Sequence, residues 1–146
     1  MSRLHEDAAR AKVEFQEEND CTDMIHALIH EIALNGKLHN ADLPRQRYRR
    51  QVLDVGCGTG IWCYDFARGN PDADVVGIDL IVNQPASPDS IPNCDFRTPV
   101  DFNTPDWALQ DNFFDFVRAS RLCGSVSDWL AFYHNMFRYV DCLSLS

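Results

Sequence analysis

The chain has 146 residues and a formal net charge of −9, from 22 Asp and Glu against 13 Lys and Arg. That length suits one domain with its own core, and 45% hydrophobic with 24% charged residues excludes a disordered chain. The negative balance repels a phosphate backbone or an anionic lipid surface, so neither nucleic acid nor membrane is expected as a partner, and no window approaches the roughly 18 uninterrupted apolar residues of a membrane span.

The N-terminus is charged from its third residue and lacks an apolar stretch ahead of a small-residue cleavage site. A secretory signal is therefore not expected, and a cytoplasmic or nuclear location is. Leu4, Ala8, Ala11 and Phe15 fall on one stripe of a first helix. A second helix follows candidate caps Asp20 and Thr22, with Ile25, Leu28, Ile29 and Ile32 at helical spacing as a face to bury, and Asn35-Gly36 supplies a left-handed stop. His26 and His30 are four apart beside Glu31, but the pattern is not HExxH and no third ligand is evident, so no metal is expected. Residues 1–40 read as a helical segment ahead of a partial domain over 41–146. The basic run Arg45 to Arg50 reads as a solvated connector.

From Gln51 the texture becomes that of an α/β sheet. Val52-Leu53-Asp54-Val55 is a nearly continuous apolar run, suited to a parallel strand covered on both faces, and Gly56-Cys57-Gly58-Thr59-Gly60 follows at once. Ile61 to Arg68 predicts a helix with Ile61, Trp62 and Phe66 on its apolar face, stopped by Gly69-Asn70-Pro71. Asp74 to Ile78 is the next strand, ending on Asp79, with Leu80 just past it.

A glycine turn of this kind lets backbone approach a nucleoside-containing ligand at the carboxyl end of a sheet. An acid ending the next strand accepts from both ribose hydroxyls, the place Asp79 takes. A dinucleotide fingerprint is GxGxxG, whereas the spacing here is GxGxG with Asp54 two residues before the first glycine. At that position a carboxylate can order the turn and, directly or through water, meet an ammonium group. S-adenosylmethionine (SAM) carries such a group and a pyrophosphate does not. The six cysteines, at 21, 57, 63, 94, 123 and 142, contain no CxxC pair and read as reduced thiols.

The stretches VLDVGCGTGIWCYDFA, DADVVGIDLIVNQP, NCDFRTPVDFNTPDW and FFDFVRASRLCGSVSDWLAFYHNMFRYV, with the lead-in ALNGKLHNADLP, together resemble the fungal SAM-dependent methyltransferases of secondary metabolism, including regulators of the velvet-complex type. The resemblance runs from about Thr22 to Tyr139, and GTGIW and LCGSVSDW are its most specific parts. It implies a Rossmann-like α/β methyltransferase fold with SAM as cofactor. Gly56, Gly58 and Gly60 would form the loop under the methionine part, supported by Asp54, with Cys57 where relatives often have threonine. Asp79 would bind ribose. Asp101 would accept from the adenine amine, with Phe102 covering the ring.

After Asp79 the family has a proline-bearing loop, matched here by Pro85, Pro88, Pro92 and Pro99, which argue against a helix. Cys94 to Thr98 and Phe113 to Ala119 are the third and fourth strands expected, with Ala119 at the end beside the methyl donor. Ser127 is the expected cap of a last helix whose Trp129, Leu130, Tyr133, Met136, Phe137 and Val140 share a core face, leaving His134, Asn135 and Arg138 outside.

Where relatives continue into three more strands, this chain reads FRYVDCLSLS. The fold is thus expected to be incomplete, with about four parallel strands, the last strands missing, and strand 4 left as a raw edge through which association could occur. Methyl transfer depends mainly on holding the acceptor in line with the sulfur and excluding water. No residue is assignable as catalytic base, and the acceptor, a small molecule or a protein, is open. The readings are a methyltransferase of doubtful activity, a non-catalytic SAM-binding or partner-binding regulator, and, disfavoured by the glycine spacing, a fragment of an NAD-type dehydrogenase.

Overall fold

The structure is a computed structural model and describes residues 2–41, 43, 49–84 and 91–141. The chain divides into two compact units, Met1–Asn40 and Ala41–Ser146.

In the first unit, α1 (Ser2–Leu28) runs straight into a π-helical turn, Ile29–Ala33. Two helices were expected, but Asp20 and Thr22 sit inside one continuous helix, because nothing at that point removes an amide donor or forces a turn. The stop is where the sequence puts it: Asn35 and Gly36 take φ values of 51° and 77°, and the Gly36 amide donates to the His30 carbonyl over 2.8 Å. The stripe expected to be buried is not, since Ile25, Leu28, Ile29 and Ile32 are all exposed. The Leu4 to Phe15 stripe lies outside the described side chains, as Pro85, Pro88, Cys142 and most of the basic run lie outside the described residues.

The second unit is built on a parallel sheet of β1 (Arg50–Val55), β2 (Ala73–Ile78), β3 (Cys94–Arg97) and β4 (Phe116–Ala119), in the order β3-β2-β1-β4. α2 (Ile61–Gly69) lies between β1 and β2, and α3 (Trp129–Tyr139) follows β4. No helix interrupts the described residues between β2 and β3, in keeping with the prolines there.

Register sorts the two faces of the sheet. Arg118, Asp54, Gly77 and Phe96 form one row across β4, β1, β2 and β3, and Phe116, Val52, Val75 and Cys94 form the row before it. This face receives Trp62, Cys63, Phe66 and Ala67 of α2, and the ring of Tyr64 meets Phe96 edge-on at 5.2 Å. The alternate residues Leu53, Val55, Val76 and Ile78 join Phe102, Trp107, Phe114, Leu122, Phe132 and Tyr139 in the main core.

Two expectations for α3 are corrected. The N-cap is Asp128, whose carboxylate accepts from the amides of Leu130 and Ala131 at 2.9 and 3.1 Å, while the hydroxyl of Ser127 donates to Asn103. The buried face is Phe132, Met136 and Tyr139. Leu130, Tyr133 and Phe137 point outward, at 69%, 49% and 68% exposure. Aromatic residues on both sides of the helix made the apolar period ambiguous. His134 is exposed, as expected.

The fourth strand starts three residues later than expected. The carboxylate of Asp115 takes the Gln51 amide at 2.7 Å in place of a backbone carbonyl, and the amides of Phe113 and Phe114 turn to the carbonyl of Tyr139. Phe114 then pairs in parallel with Val140 in a single bridge beside β4, so the chain re-enters the outer edge of the sheet as α3 ends.

Candidate functional site

The glycine turn leaves the carboxyl end of β1 with Gly56, Gly58 and Gly60 at φ values of 71°, 57° and 80°, which side chains rarely tolerate. Its backbone is fastened to the end of β2. The amides of Gly56 and Cys57 both donate to the Ile78 carbonyl, at 2.8 and 3.0 Å, and the Gly58 amide donates to Asp79 Oδ2 at 2.8 Å. The other oxygen of Asp79 accepts from the Ile81 amide at 3.0 Å, closing a small turn past the strand. The Asp79 carbonyl accepts from the Val100 amide at 2.7 Å, which brings the loop after β3 alongside. Gln84 completes the fastening: its side-chain amide donates to the Gly58 carbonyl at 2.7 Å and lies 3.7 Å from Cys57 Sγ.

These loops enclose an open cleft of about 350 Å³ lined by Gly56, Asp79, Leu80, Ile81, Asp101, Phe102, Asn103, Leu122 and Ser125. That volume falls within the roughly 300–1,000 Å³ of small-molecule sites. Leu80 and Ile81 are half exposed on its rim, apolar surface that a ligand would cover. Asp101 is held by a tight loop in which its Oδ1 accepts from the Asn103 amide at 2.9 Å and its carbonyl accepts from Thr104. The Phe102 ring is nearly buried, edge-on to Phe132 at 6.0 Å, so it forms part of the cleft wall.

Of the residues expected to bind cofactor, the cleft gathers Gly56, Asp79, Leu80, Asp101 and Phe102. Gly58 lies on the same turn with open space where a Cβ would stand. Gly60 answers to a different constraint, since a Cβ there would come within 2.5 Å of the Phe96 ring. Ala119 pairs with Val55 inside the sheet and is not among the cleft residues, and the thiol of Cys57 is turned inward, toward Gly77.

Asp54 lies on the helix-covered face of the sheet. Its carboxylate is 1% exposed on the α2 side of the sheet, paired with Arg118 Nη1 at 2.7 Å and approached by Cys63 Sγ at 3.5 Å. The Arg118 guanidinium lies over the Trp62 ring, 4.6 Å from its centre. Burial raises the Asp54 carboxyl above its ordinary range, an effect the Arg118 charge opposes. With Arg118 and Cys63 on its oxygens, Asp54 orders the strand before the turn and is not among the cleft residues. Strand alternation explains this: two residues before Gly56 the side chain points to the helix-covered face.

Ile81, Asn103, Leu122, Ser125 and Gln84 were not singled out from sequence. Leu122 and Ser125 do lie within LCGSVSDW, one of the two most specific stretches of the resemblance. Nothing local marks Gln84, whose partners are 14 to 27 residues away.

A parallel sheet in this order, with a GxGxG turn tied to an acid at the tip of the neighbouring strand and a cleft over both, defines a Rossmann-like methyltransferase fold. The chain belongs to the methyltransferase domain family, whose model matches residues 22–141. It is 40% identical over 123 residues to the secondary metabolism regulator laeA of Monascus pilosus, covering 84% of this chain and 32% of that protein. It is 36% identical over 125 residues to the protein-methionine methyltransferase laeA of Emericella nidulans, covering 86% of this chain and 32% of that protein. The chain thus spans about a third of the length of these curated relatives. Among solved structures, a SAM dependent methyltransferase from Aquifex aeolicus superposes with a TM-score of 0.52 at 19% identity, over 64% of this chain and 53% of that one, a likeness of fold. No helix among the described residues is long and apolar enough to cross a membrane.

Proposed function

We propose that this chain carries the cofactor-binding part of a SAM-dependent methyltransferase. The observation that carries the reading is the convergence of the glycine turn, Asp79 and Asp101 on one cleft. The residues present fit the cofactor. A carboxylate offers about four lone-pair sites, and the two amides on Asp79 leave room for ribose hydroxyls. Asp101, with one oxygen engaged by Asn103, has the other for an adenine amine. The open side of Gly58 leaves space for the methionine part, and Leu80, Ile81 and Phe102 offer apolar cover to adenine.

When bound, SAM supplies an electrophilic methyl group on a sulfonium. The chain's own contribution is to bind and orient: Asp79 and Asp101 fix the nucleoside, and Leu122 and Ser125, from the loop after β4, wall the side of the cleft beside Gly56. A protein acceptor is favoured over a small molecule by the likeness to a relative named as a protein-methionine methyltransferase. A thioether acceptor has no proton to lose and so needs no general base. An intracellular site of action, cytoplasmic or nuclear, is supported by five free thiols among the described residues.

The second reading is a SAM-binding regulator that holds a protein partner along the outer edge of β4. It is favoured by that edge, where pairing among the described residues is limited to the Phe114–Val140 bridge, and by the exposed Leu130, Tyr133 and Phe137 of α3. Transfer of a labelled methyl group from SAM to protein separates the readings. Label on a methionine supports the first. SAM binding without transfer to any acceptor, together with a sedimenting complex, supports the second.

A further inference from the structure

Two walls of the cleft come from loops well apart in sequence, and one side chain joins them. After β3 the chain from Asp101 to Thr104 is fixed by bonds that do not use the Asn103 side chain. The Asn103 amide donates to Asp101 Oδ1 at 2.9 Å, the Thr104 hydroxyl donates to the Asp101 carbonyl at 2.7 Å, and Asn135 of α3 donates to the Thr104 carbonyl at 2.9 Å. After β4 the chain makes a tight turn, in which the Ser125 amide donates to the Leu122 carbonyl at 3.0 Å and Gly124 takes a φ of 86°. Leu122 presses on the glycine turn, where a Cβ on Gly56 would run into its Cδ2.

The Asn103 side chain reaches from the first loop to the second and uses both ends of its amide there. Its nitrogen donates to the Ser125 carbonyl at 3.0 Å, and its oxygen accepts from the Ser127 amide at 2.8 Å and the Ser127 hydroxyl at 3.0 Å. A backbone carbonyl can only accept and a backbone amide can only donate, so these two partners fix which end of the Asn103 amide lies where.

We propose that Asn103 is a positioning residue for the methionine end of the cofactor: it holds Leu122 and Ser125 in place beside Gly56, so that SAM and its demethylated product depend on it while adenosine does not. The inference rests on the function proposed above. Asp79 and Asp101, the groups assigned to ribose and adenine, are set by backbone amides. Leu122 and Ser125 border the cleft beside Gly56, and Asn103 ties their turn to the opposite wall. A wall held in place before binding needs no ordering when the ligand arrives, whereas a released one must be ordered at the expense of affinity. The three bonds are exposed at the cleft mouth, where water can replace them, so the latch adds little to global stability and its effect falls on the ligand.

The test titrates the whole chain with SAM, its demethylated product and adenosine, for the parent, Asn103→Ala and Asp128→Ala. Asn103→Ala removes the bonds between the loops and keeps the backbone donation to Asp101. The expected result is about tenfold weaker binding of SAM and of its product, the net worth of one good hydrogen bond, with adenosine affinity and the urea midpoint close to those of the parent. Asp128→Ala removes the cap of α3 next to the latch, so it should lower the urea midpoint and bind all three ligands as the parent does. Equal weakening of adenosine and SAM by Asn103→Ala, unchanged affinity for both, or the same loss of SAM binding in Asp128→Ala would overturn the proposal. A parent that binds no SAM overturns the cofactor reading and this proposal with it. A parent that binds SAM leaves the cofactor reading standing whatever Asn103→Ala does.

Discussion

The Gly58 amide donates to the Asp79 carboxylate across 2.8 Å, so the turn leaving β1 and the tip of β2 are one hydrogen-bonded unit. Asp79 therefore has two tasks, shaping the turn and offering its remaining lone pairs to the cleft. Asp79→Ala should weaken SAM binding by about 1.5–3 kcal/mol, the worth of a charge-assisted hydrogen bond. Calorimetric titration of both proteins measures it, and unchanged affinity removes Asp79 from the site.

Arg118 is the counter-charge of a carboxylate that sees no water. Arg118→Met should destabilise the chain by about 3 kcal/mol by leaving Asp54 buried and unpaired. The pH dependence has a definite sign. A carboxyl raised in the folded state contributes stability that is present below its unfolded value of 3.8 and lost as pH rises through its folded value. Removing Arg118 raises Asp54 further, so the deficit should shrink as the pH is lowered toward that value. Urea midpoints across pH test this, and a deficit that grows on acidification contradicts it.

Tyr139 is buried, and its hydroxyl accepts from the Trp107 amide at 2.9 Å while donating to Asp106 at 3.1 Å. Tyr139→Phe keeps the ring packing of 5.2 Å against Trp107 and strands a buried amide. The expected cost is about 1–3 kcal/mol, read from chemical denaturation, whereas a neutral substitution would mean that the amide finds another acceptor.

Gly60 is constrained by backbone and by Phe96 together. Gly60→Ala should lose more than the about 1–2 kcal/mol of left-handed strain alone, because its Cβ meets the Phe96 ring. In a double-mutant cycle with Phe96→Leu the two changes should couple favourably, returning the steric part and leaving the strain. Additive losses would place the conflict elsewhere.

The sheet was legible because its signals are local. Apolar runs ending on a GxGxG turn and on Asp79 gave strands and cofactor turn together, and Pro92 and Pro99 lie in described stretches that hold no helix. Where the sequence failed, the deciding contact was distant or the pattern was two-sided. The sequence left Asp54 two roles, ordering the turn and meeting a ligand ammonium, and it could not show the partner that register places beside it, Arg118, 64 residues on. The apolar residues of α3 occupy more than one face, so period alone could not choose Phe132 and Tyr139 over Leu130 and Phe137. Ser127 was a reasonable cap, but Asp128, one residue later, is the one whose carboxylate reaches the free amides. The apolar stripe of α1 was visible, but its exposure depends on surroundings that spacing does not encode.

The most direct measurement is a calorimetric titration of the folded chain with SAM, with its demethylated product, and with a nicotinamide dinucleotide. Saturable binding of the first two, abolished or much weakened in Asp79→Ala, is the predicted result. Heat with the dinucleotide and none with SAM or its product would contradict the assignment of the cleft.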